Sequence, residues 1–226
     1  MDAGPGQTAL GYDVAHFLGG ASLVLSFALL YQARVASLPK LYAMQGILLA
    51  LAAFWQGQIR HAPELYVTGV ITLAAKGIII PIALHRIVQR LAIQRSIETA
   101  LGVFPSMVLG IGLVALAILA VTPAAPGAKV LTRENLALAL SVVLLGLLMM
   151  ITRRTALTQV VGFLSMENGL ILAAIGVAGM PLVVELSVAI LVLVAFVVFG
   201  VFFFRIRERF DSLDLRFLEQ MDEAEH

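Results

Sequence analysis

Long apolar runs alternate with short polar breaks along the whole chain, which is the pattern of a protein that crosses a lipid bilayer several times. Seven runs contain at most one Asp, Glu, Lys or Arg each: 14–33, 41–59, 65–84, 100–121, 135–152, 155–177 and 181–204. About 20 apolar residues cross a hydrocarbon core of roughly 30 Å, and in lipid a lone spanning segment must be helical. The pattern predicts an all-α bundle of about seven transmembrane helices over residues 1–204.

Composition supports a membrane protein and excludes most other classes. Of the 226 residues 61% are hydrophobic and 13% are charged, with a mean hydropathy of +1.00, whereas a soluble domain carries about 25% charged residues. A cytosolic enzyme, a secreted domain and a nucleic-acid binder are therefore excluded. The chain has no cysteine, which rules out iron–sulfur clusters and thiolate metal sites on it. We expect no cofactor in this chain, and any redox chemistry must belong to a partner.

The basic residues indicate an orientation in the membrane. When the loops are assigned alternately to the two sides, eleven of the fifteen Lys and Arg residues fall on one side and three on the other, while Lys76 lies within a run. The positive-inside rule then predicts an outer amino terminus and a cytoplasmic carboxyl terminus. Residues 205–226 combine a helical apolar stripe with seven acidic residues, which predicts a short cytoplasmic amphipathic tail.

Three ionisable residues lie within the predicted spans: Lys76, Glu167 and Glu185. A charge at the bilayer centre costs roughly 2.5–3.5 kcal/mol on insertion scales, and such residues usually face the protein interior. Lys76 and Glu167 are expected near the midplane, and Glu185 only a few residues inside the outer boundary. Two interpretations stay open for the midplane pair. It is either a structural ion pair between spans three and six or part of a proton-transfer chain.

Further residues near these charges could support them: Gln45, Gln159, Asn168, His85 and Pro81. The two glutamines and Asn168 can carry hydrogen bonds within the membrane, a role that helix packing also uses. His85, nine residues after Lys76, is expected roughly on the same face and at the cytoplasmic boundary, where it could exchange protons. Pro81 removes a backbone hydrogen bond, which predicts a local kink or a water site near Lys76.

The residues from 159 to 169, with the motif Met166-Glu167-Asn168-Gly169, strongly resemble a membrane protein known as hydrogenase-4 component E. The resemblance extends over nearly the whole chain and includes these further positions: Tyr42, Gln45, Lys76, Pro81, Arg154 and Glu185. Residues 134–204 also resemble two three-helix membrane proteins, the K component of respiratory complex I and the C component of multisubunit sodium/proton antiporters.

This resemblance implies a non-redox membrane-arm subunit of a complex related to formate hydrogenlyase and complex I. It implies antiporter-like membrane subunits and a relative of the H component of complex I as membrane partners, together with a soluble hydrogenase-like arm that carries the nickel–iron site and the iron–sulfur clusters. It also implies proton translocation, or coupling to it, through Lys76, Glu167, Glu185 and His85. The expected location is the cytoplasmic membrane of a bacterium or an archaeon.

One position departs from the family, and two other functions stay open. The family commonly has an aspartate six residues after the glutamate that Glu185 matches, but this chain has Leu191, which weakens a role for span seven in proton transfer. A self-standing small transporter or channel is one alternative, although it would need a polar cavity and a clearer repeat. A structural scaffold between antiporter-like subunits is the other, with its charges merely paired.

Overall fold

The computed structural model describes residues 5–90, 101–124 and 130–176, and all regular elements in these ranges are helical. They are α1 (Pro5–Tyr31), a 3-10 turn (Val35–Ser37), α2 (Leu38–Arg60), α3 (Pro63–Thr72), a π-helical segment (Leu73–Ile79), α4 (Ile80–Arg90), α5 (Val103–Ala124), α6 (Val130–Thr152) and α7 (Ala156–Gly176).

Six stretches are long and apolar enough to cross a membrane: Asp13–Tyr31, Val35–Arg60, Pro63–Gln89, Val103–Thr122, Arg133–Thr152 and Ala156–Gly176. They match the first six predicted spans, so the chain is an all-helical, multi-pass membrane protein. The predicted seventh span with Glu185, and the predicted tail 205–226, lie outside the described residues.

Helix boundaries fall where the sequence places breakers. Pro39 and Pro63 occupy the first turns of α2 and α3, where proline loses no helical hydrogen bond because those N–H groups lack intrahelical partners anyway. His61 ends α2 in the left-handed conformation, with φ of 52°. His61 and Ala62 form the whole link between the two helices, which makes α2 and α3 antiparallel neighbours.

The helix α2 lies at the centre of the described bundle, in contact with α1, α3, the π-helical segment, α4 and α7. The helix α6 contacts α1, α5 and α7, and α5 lies at the edge with most of its apolar side chains exposed. One end of the bundle, here called the basic end, carries basic residues that flank the spans, among them Arg34, Lys40, Arg86, Arg153 and Arg154. At the opposite end, the Arg60 side chain donates a hydrogen bond to the Gly176 carbonyl.

The third span contains one extra residue within the π-helical segment. The Ile80 N–H bonds the Ala75 carbonyl, five residues earlier, instead of four as in an α-helix. Besides Gly69, the buried positions on this span are Thr68, Thr72, Lys76, Pro81, Leu84 and Val88. These buried positions form a stripe along the span, with steps of three or four residues except for the step of five from Lys76 to Pro81. The extra residue of the π-helical segment accommodates that step, so the stripe faces α2 both before and after it.

Glycines allow α6 and α7 to pack with their backbones nearly in contact. A Cβ added at Gly146 would lie 2.5 Å from the Met166 nitrogen, and one at Gly169 would lie 2.7 Å from the Val143 nitrogen. Small residues at such crossings let membrane helices approach closely. This contact holds the middle of α7, which includes Glu167, against α6.

Replacing Gly146 by alanine is expected to destabilise the bundle, because its Cβ would meet the backbone of α7. We expect the free energy of unfolding to fall by about 1–3 kcal/mol, the usual cost of overpacking. Unfolding by sodium dodecyl sulfate, followed by fluorescence of the single tryptophan, measures the change. Gly112→Ala is the matched control, since nothing lies within 4 Å of its added Cβ. Equal stability of the two variants would contradict the close α6–α7 contact.

Candidate functional site

The Lys76 ammonium and the Glu167 carboxylate form an ion pair in the middle of the bundle. Nζ of Lys76 lies 3.0 Å from Oε1 of Glu167, and both side chains are almost entirely buried. Lys76 is the central residue of Pro63–Gln89, and Glu167 is close to the centre of Ala156–Gly176. The two midplane charges that the sequence predicts therefore face each other. The pair links span three to span six.

Two amide side chains extend from Lys76 as a chain of hydrogen bonds in which every donor points away from the ion pair. Nζ of Lys76 donates to Oδ1 of Asn168 at 2.9 Å, and Nδ2 of Asn168 donates to Oε1 of Gln45 at 3.1 Å. Nε2 of Gln45 then donates to the hydroxyl oxygens of Ser26, at 2.8 Å, and Ser165, at 3.1 Å. Each amide turns its carbonyl toward Lys76 and its N–H groups away. This order of dipoles stabilises a charged ammonium.

Tyr42 is fully buried beside this polar cluster. It lies on α2 one turn closer to the basic end than Gln45. The Glu167 carboxylate acts electrostatically on its hydroxyl, and the Asn168 side chain lies within hydrogen-bonding reach of it.

Close backbone contact brings Lys76 to this position. A Cβ added at Gly46 would lie 2.7 Å from the carbonyl carbon and oxygen of Lys76, so α2 and the π-helical segment touch directly there. Pro81, five residues later, has no N–H to offer that carbonyl in the π pattern. The departure from α-helical geometry that Pro81 predicts near Lys76 takes the form of this π-helical segment.

Two of the predicted supporting residues lie away from the ion pair. The expectation that His85 shares a face with Lys76 is wrong, because His85 is exposed near the basic end and contacts Gln89 at 3.0 Å. Nine residues are about two and a half α-helical turns, so they lead to the opposite face. Gln159 is also exposed, and its side chain donates to the Arg153 carbonyl at 3.0 Å. Glu185 lies outside the described residues.

Sequence reasoning missed several polar residues that the fold buries around the pair. Ser26 and Ser165 accept from Gln45, while Thr68 and Thr72 are buried on the same stripe as Lys76. Their spacing of four residues, continued to Lys76, is a helical signal that the sequence does contain. The serines carry no such signal, because Ser26 and Ser165 meet Gln45 only through tertiary packing.

Arg153 is a further buried charge, at the basic end. The sequence alone did not assign it a role. Only 2% of the residue is exposed, and its guanidinium donates to the carbonyls of Leu29, Leu30 and Gln32. These carbonyls end α1, where a cation is favourable to the helix dipole. Burial lowers the pKa of the Arg153 guanidinium from its ordinary value, but such a group remains charged at neutral pH.

The described cluster is suited to proton exchange and to charge stabilisation. Within residues 5–90, 101–124 and 130–176, no group of three or more His, Asp or Glu side chains is placed to hold a metal ion. The ion pair offers one carboxylate and one amine in a medium of low dielectric constant.

The sequence is similar to an uncharacterized protein, Rv0085, of Mycobacterium tuberculosis. The two are 30% identical over 207 residues, a region that covers 91% of this chain and 94% of that protein. No protein-family model matches the chain, and no solved structure matches it.

Removing only one member of the ion pair is expected to cost more than removing both. Lys76→Met should lower the free energy of unfolding by about 3–5 kcal/mol, because the buried carboxylate loses its neighbouring cation. The double variant with Glu167→Gln should recover most of that loss. Titration with sodium dodecyl sulfate of the two single variants and the double variant gives the coupling energy.

Lys40→Met is the control for this cycle, since Lys40 is exposed at the basic end. We expect it to change stability by less than about 0.5 kcal/mol, as is usual for surface substitutions. Strictly additive effects of Lys76→Met and Glu167→Gln would contradict an energetic coupling between the two charges.

Replacing Arg153 should weaken the attachment of α1 to the basic end. Arg153→Met is expected to lower the free energy of unfolding by about 1.5–3 kcal/mol, since hydrogen bonds to charged groups contribute about that much. Arg153→Lys should recover only part, because an ammonium cannot reproduce the guanidinium fork. Arg154→Met is the control, because Arg154 is the exposed neighbour. If Arg154→Met destabilised the protein as much as Arg153→Met, the loss of stability would come from the change in net charge and not from the loss of the helix cap.

Proposed function

The chain belongs to the same family as the Rv0085 protein of Mycobacterium tuberculosis, and we propose that it is a non-redox membrane-arm subunit of a complex I-like, formate hydrogenlyase-type hydrogenase complex. In this proposal it contributes to proton translocation, or to its coupling, through the polar axis within the membrane. The observation that carries the proposal is the buried ion pair of Lys76 and Glu167 at mid-depth.

The ion pair supports proton chemistry because it has two forms without net charge. In one, Lys76 is an ammonium and Glu167 a carboxylate; in the other, a proton has moved and both are neutral. A low dielectric medium penalises every form that carries net charge. A proton can therefore pass between the two side chains without leaving a lone charge in the membrane, whereas exchange with the outside requires uptake and release to be coupled.

The amide chain supports charge coupling rather than conduction. Amide groups keep their N–H protons under ordinary conditions, so Asn168 and Gln45 orient dipoles but do not pass protons along. The orientation of these dipoles stabilises the ammonium of Lys76. A change in the charge of Lys76 would therefore alter the hydrogen bonds as far as Ser26 on α1. Electrostatic coupling between spans is what a membrane-arm subunit needs in order to act on its neighbours.

The resemblance to hydrogenase-4 component E supports the choice of complex and of partners. We propose antiporter-like subunits and a relative of the H component of complex I as membrane neighbours, with the nickel–iron site and iron–sulfur clusters in a soluble arm. The proposed location is the cytoplasmic membrane of a bacterium or an archaeon. The basic end would face the cytoplasm, as the positive-inside rule favours, and 181–204 would form a seventh span.

A scaffold between antiporter-like subunits is the second candidate, favoured by one feature of the site. The polar cluster ties together four spans, through Ser26 on α1, Gln45 on α2, Lys76 and Glu167. Such a network would stabilise packing even if no proton ever moved. Substitution of Glu167 separates the two candidates wherever the complex still assembles, because a scaffold does not require that side chain to take up or release a proton.

Glu167→Gln is expected to abolish most proton translocation while the complex still assembles. Glutamine has nearly the same volume but cannot take up or release a proton, and proton-transfer groups commonly contribute about 10²–10⁴-fold to a rate. We therefore expect proton uptake by inverted membrane vesicles to fall at least about tenfold. Uptake is measured with a pH-sensitive dye, and assembly by purification of the complex.

Glu134→Gln is the matched control, since Glu134 is an exposed glutamate at the other end of the bundle that lies 3.9 Å from His16. It should leave proton uptake unchanged. Full uptake by an assembled Glu167→Gln complex would support the scaffold instead. Purification of the tagged wild-type protein in mild detergent tests the partners, and recovery of this chain alone would favour a self-standing transporter.

A further inference from the structure

Within the described residues, the basic end of the bundle presents four exposed cations, here called the basic rim: Arg34, Lys40, Arg86 and Arg154. No carboxylate of the described ranges lies at that end. Glu167 is buried in the middle of the bundle, and the other acidic residues of these ranges lie at the opposite end: Asp13, Glu64 and Glu134. In the part of the chain that the structure describes, the basic rim is therefore a surface of positive charge only, which attracts anions.

Hydrogen bonds and helix contacts fix the segments that carry the basic rim to one another. Arg153, next to Arg154, donates to the Gln32 carbonyl at 3.0 Å. Oε1 of Gln32 in turn accepts from the backbone N–H of Arg34 at 3.3 Å, so the α6–α7 link is joined to the α1–α2 link. The 3-10 turn that follows Arg34 contacts α4, which carries Arg86. The backbone of the rim is therefore already in place before an anion binds, which lowers the cost of binding.

Exposed apolar side chains lie on the membrane side of the basic rim. On α4, Ile82 and Arg86 are four residues apart and are both exposed, so they share one face of the helix. Ile78, four residues before Ile82, is exposed as well. Tyr31 and Ile151, close to the ends of α1 and α6 at the basic end, are also largely exposed. A ligand that fits this surface has a negative group and an apolar part side by side.

We propose that the basic rim binds the phosphate group of an anionic phospholipid, with an acyl chain lying along the exposed face of Ile78 and Ile82. Arginine suits this role because its guanidinium binds phosphate oxygens in pairs. Basic residues at a membrane surface attract anionic lipids, and tyrosines such as Tyr31 are enriched at the depth of the headgroups.

The apolar face distinguishes a phospholipid from the other anions that the charge would attract. Inorganic phosphate and the acidic surface of a soluble protein have no alkyl chain to place against Ile78 and Ile82. The lipid site requires only that the chain lies in a membrane, so it stands or falls independently of the proposed function.

Binding of phosphatidylglycerol to the full chain tests this site. The protein is purified in mild detergent and mixed with equal amounts of phosphatidylglycerol and phosphatidylcholine that carry the same acyl chains. Native mass spectrometry then measures how much of each lipid is bound. We expect the wild type to bind phosphatidylglycerol at least about fivefold more tightly than phosphatidylcholine, and Arg86→Gln to weaken phosphatidylglycerol binding by about fivefold. Arg86→Lys should keep most of the binding, because the charge remains.

Lys129→Gln is the control with the same change in net charge, since it removes the cation that precedes the first residue of α6. It should leave phosphatidylglycerol binding unchanged, and fluorescence of Trp55 verifies that each variant is folded. An equal loss in Lys129→Gln and Arg86→Gln would mean attraction by net charge alone and would overturn the site. Wild-type protein that bound both lipids equally would also overturn it, and the rim would then suit an acidic surface of a partner protein.

Competition with inorganic phosphate separates the lipid from its phosphate group. An excess of inorganic phosphate should leave most of the phosphatidylglycerol bound, because the free anion gains nothing from the apolar face. Complete displacement would make the basic rim a site for free anions and would overturn the assignment to a lipid.

Discussion

The contact between Lys76 and Glu167 is the interaction on which the centre of this bundle depends. Each charge alone would be expensive in the membrane, and together they lie 3.0 Å apart with Asn168 completing the ammonium's surroundings. Such a pair contributes little net stability, because desolvation of two ions offsets most of their attraction. It contributes specificity instead, since any packing that separates spans three and six leaves two buried charges apart.

The backbone geometry around the pair follows from this requirement. Gly46 lets α2 touch the carbonyl of Lys76, and Gly146 and Gly169 let α6 press against the middle of α7. The π-helical segment then supplies the rotation that a regular α-helix could not. Without the extra residue, the stripe of Thr68, Thr72 and Lys76 would not continue into the buried positions of α4. Small side chains and a local change of helix type thus both act to place two charges within reach.

The sequence could predict the spans and the depth of the charges, because both depend on local hydrophobicity and on rise per residue. The pairing of Lys76 with Glu167 also followed from depth. The spacing of nine residues already separates His85 from the face of Lys76 in an α-helix, and the π-helical segment changes the angle between them further, which no sequence pattern indicates. Arg153 lies between two predicted spans, where the sequence indicates an ordinary loop charge, but its guanidinium caps α1. That contact joins residues more than a hundred positions apart and leaves no local pattern.

Arg153 and Lys76 show how the same bundle treats two buried cations differently. Arg153 is surrounded by neutral carbonyls at the end of a helix. Burial lowers its pKa, but a guanidinium keeps its charge at neutral pH. Lys76 faces a carboxylate, so a proton transferred between them changes the dipole of the site without changing its net charge. A proton arriving from outside adds a net charge, which disappears only when the site releases a proton again. In the proposed function, this makes arrival at Glu167 and release at Lys76 parts of one event, because the low dielectric medium penalises the state between them.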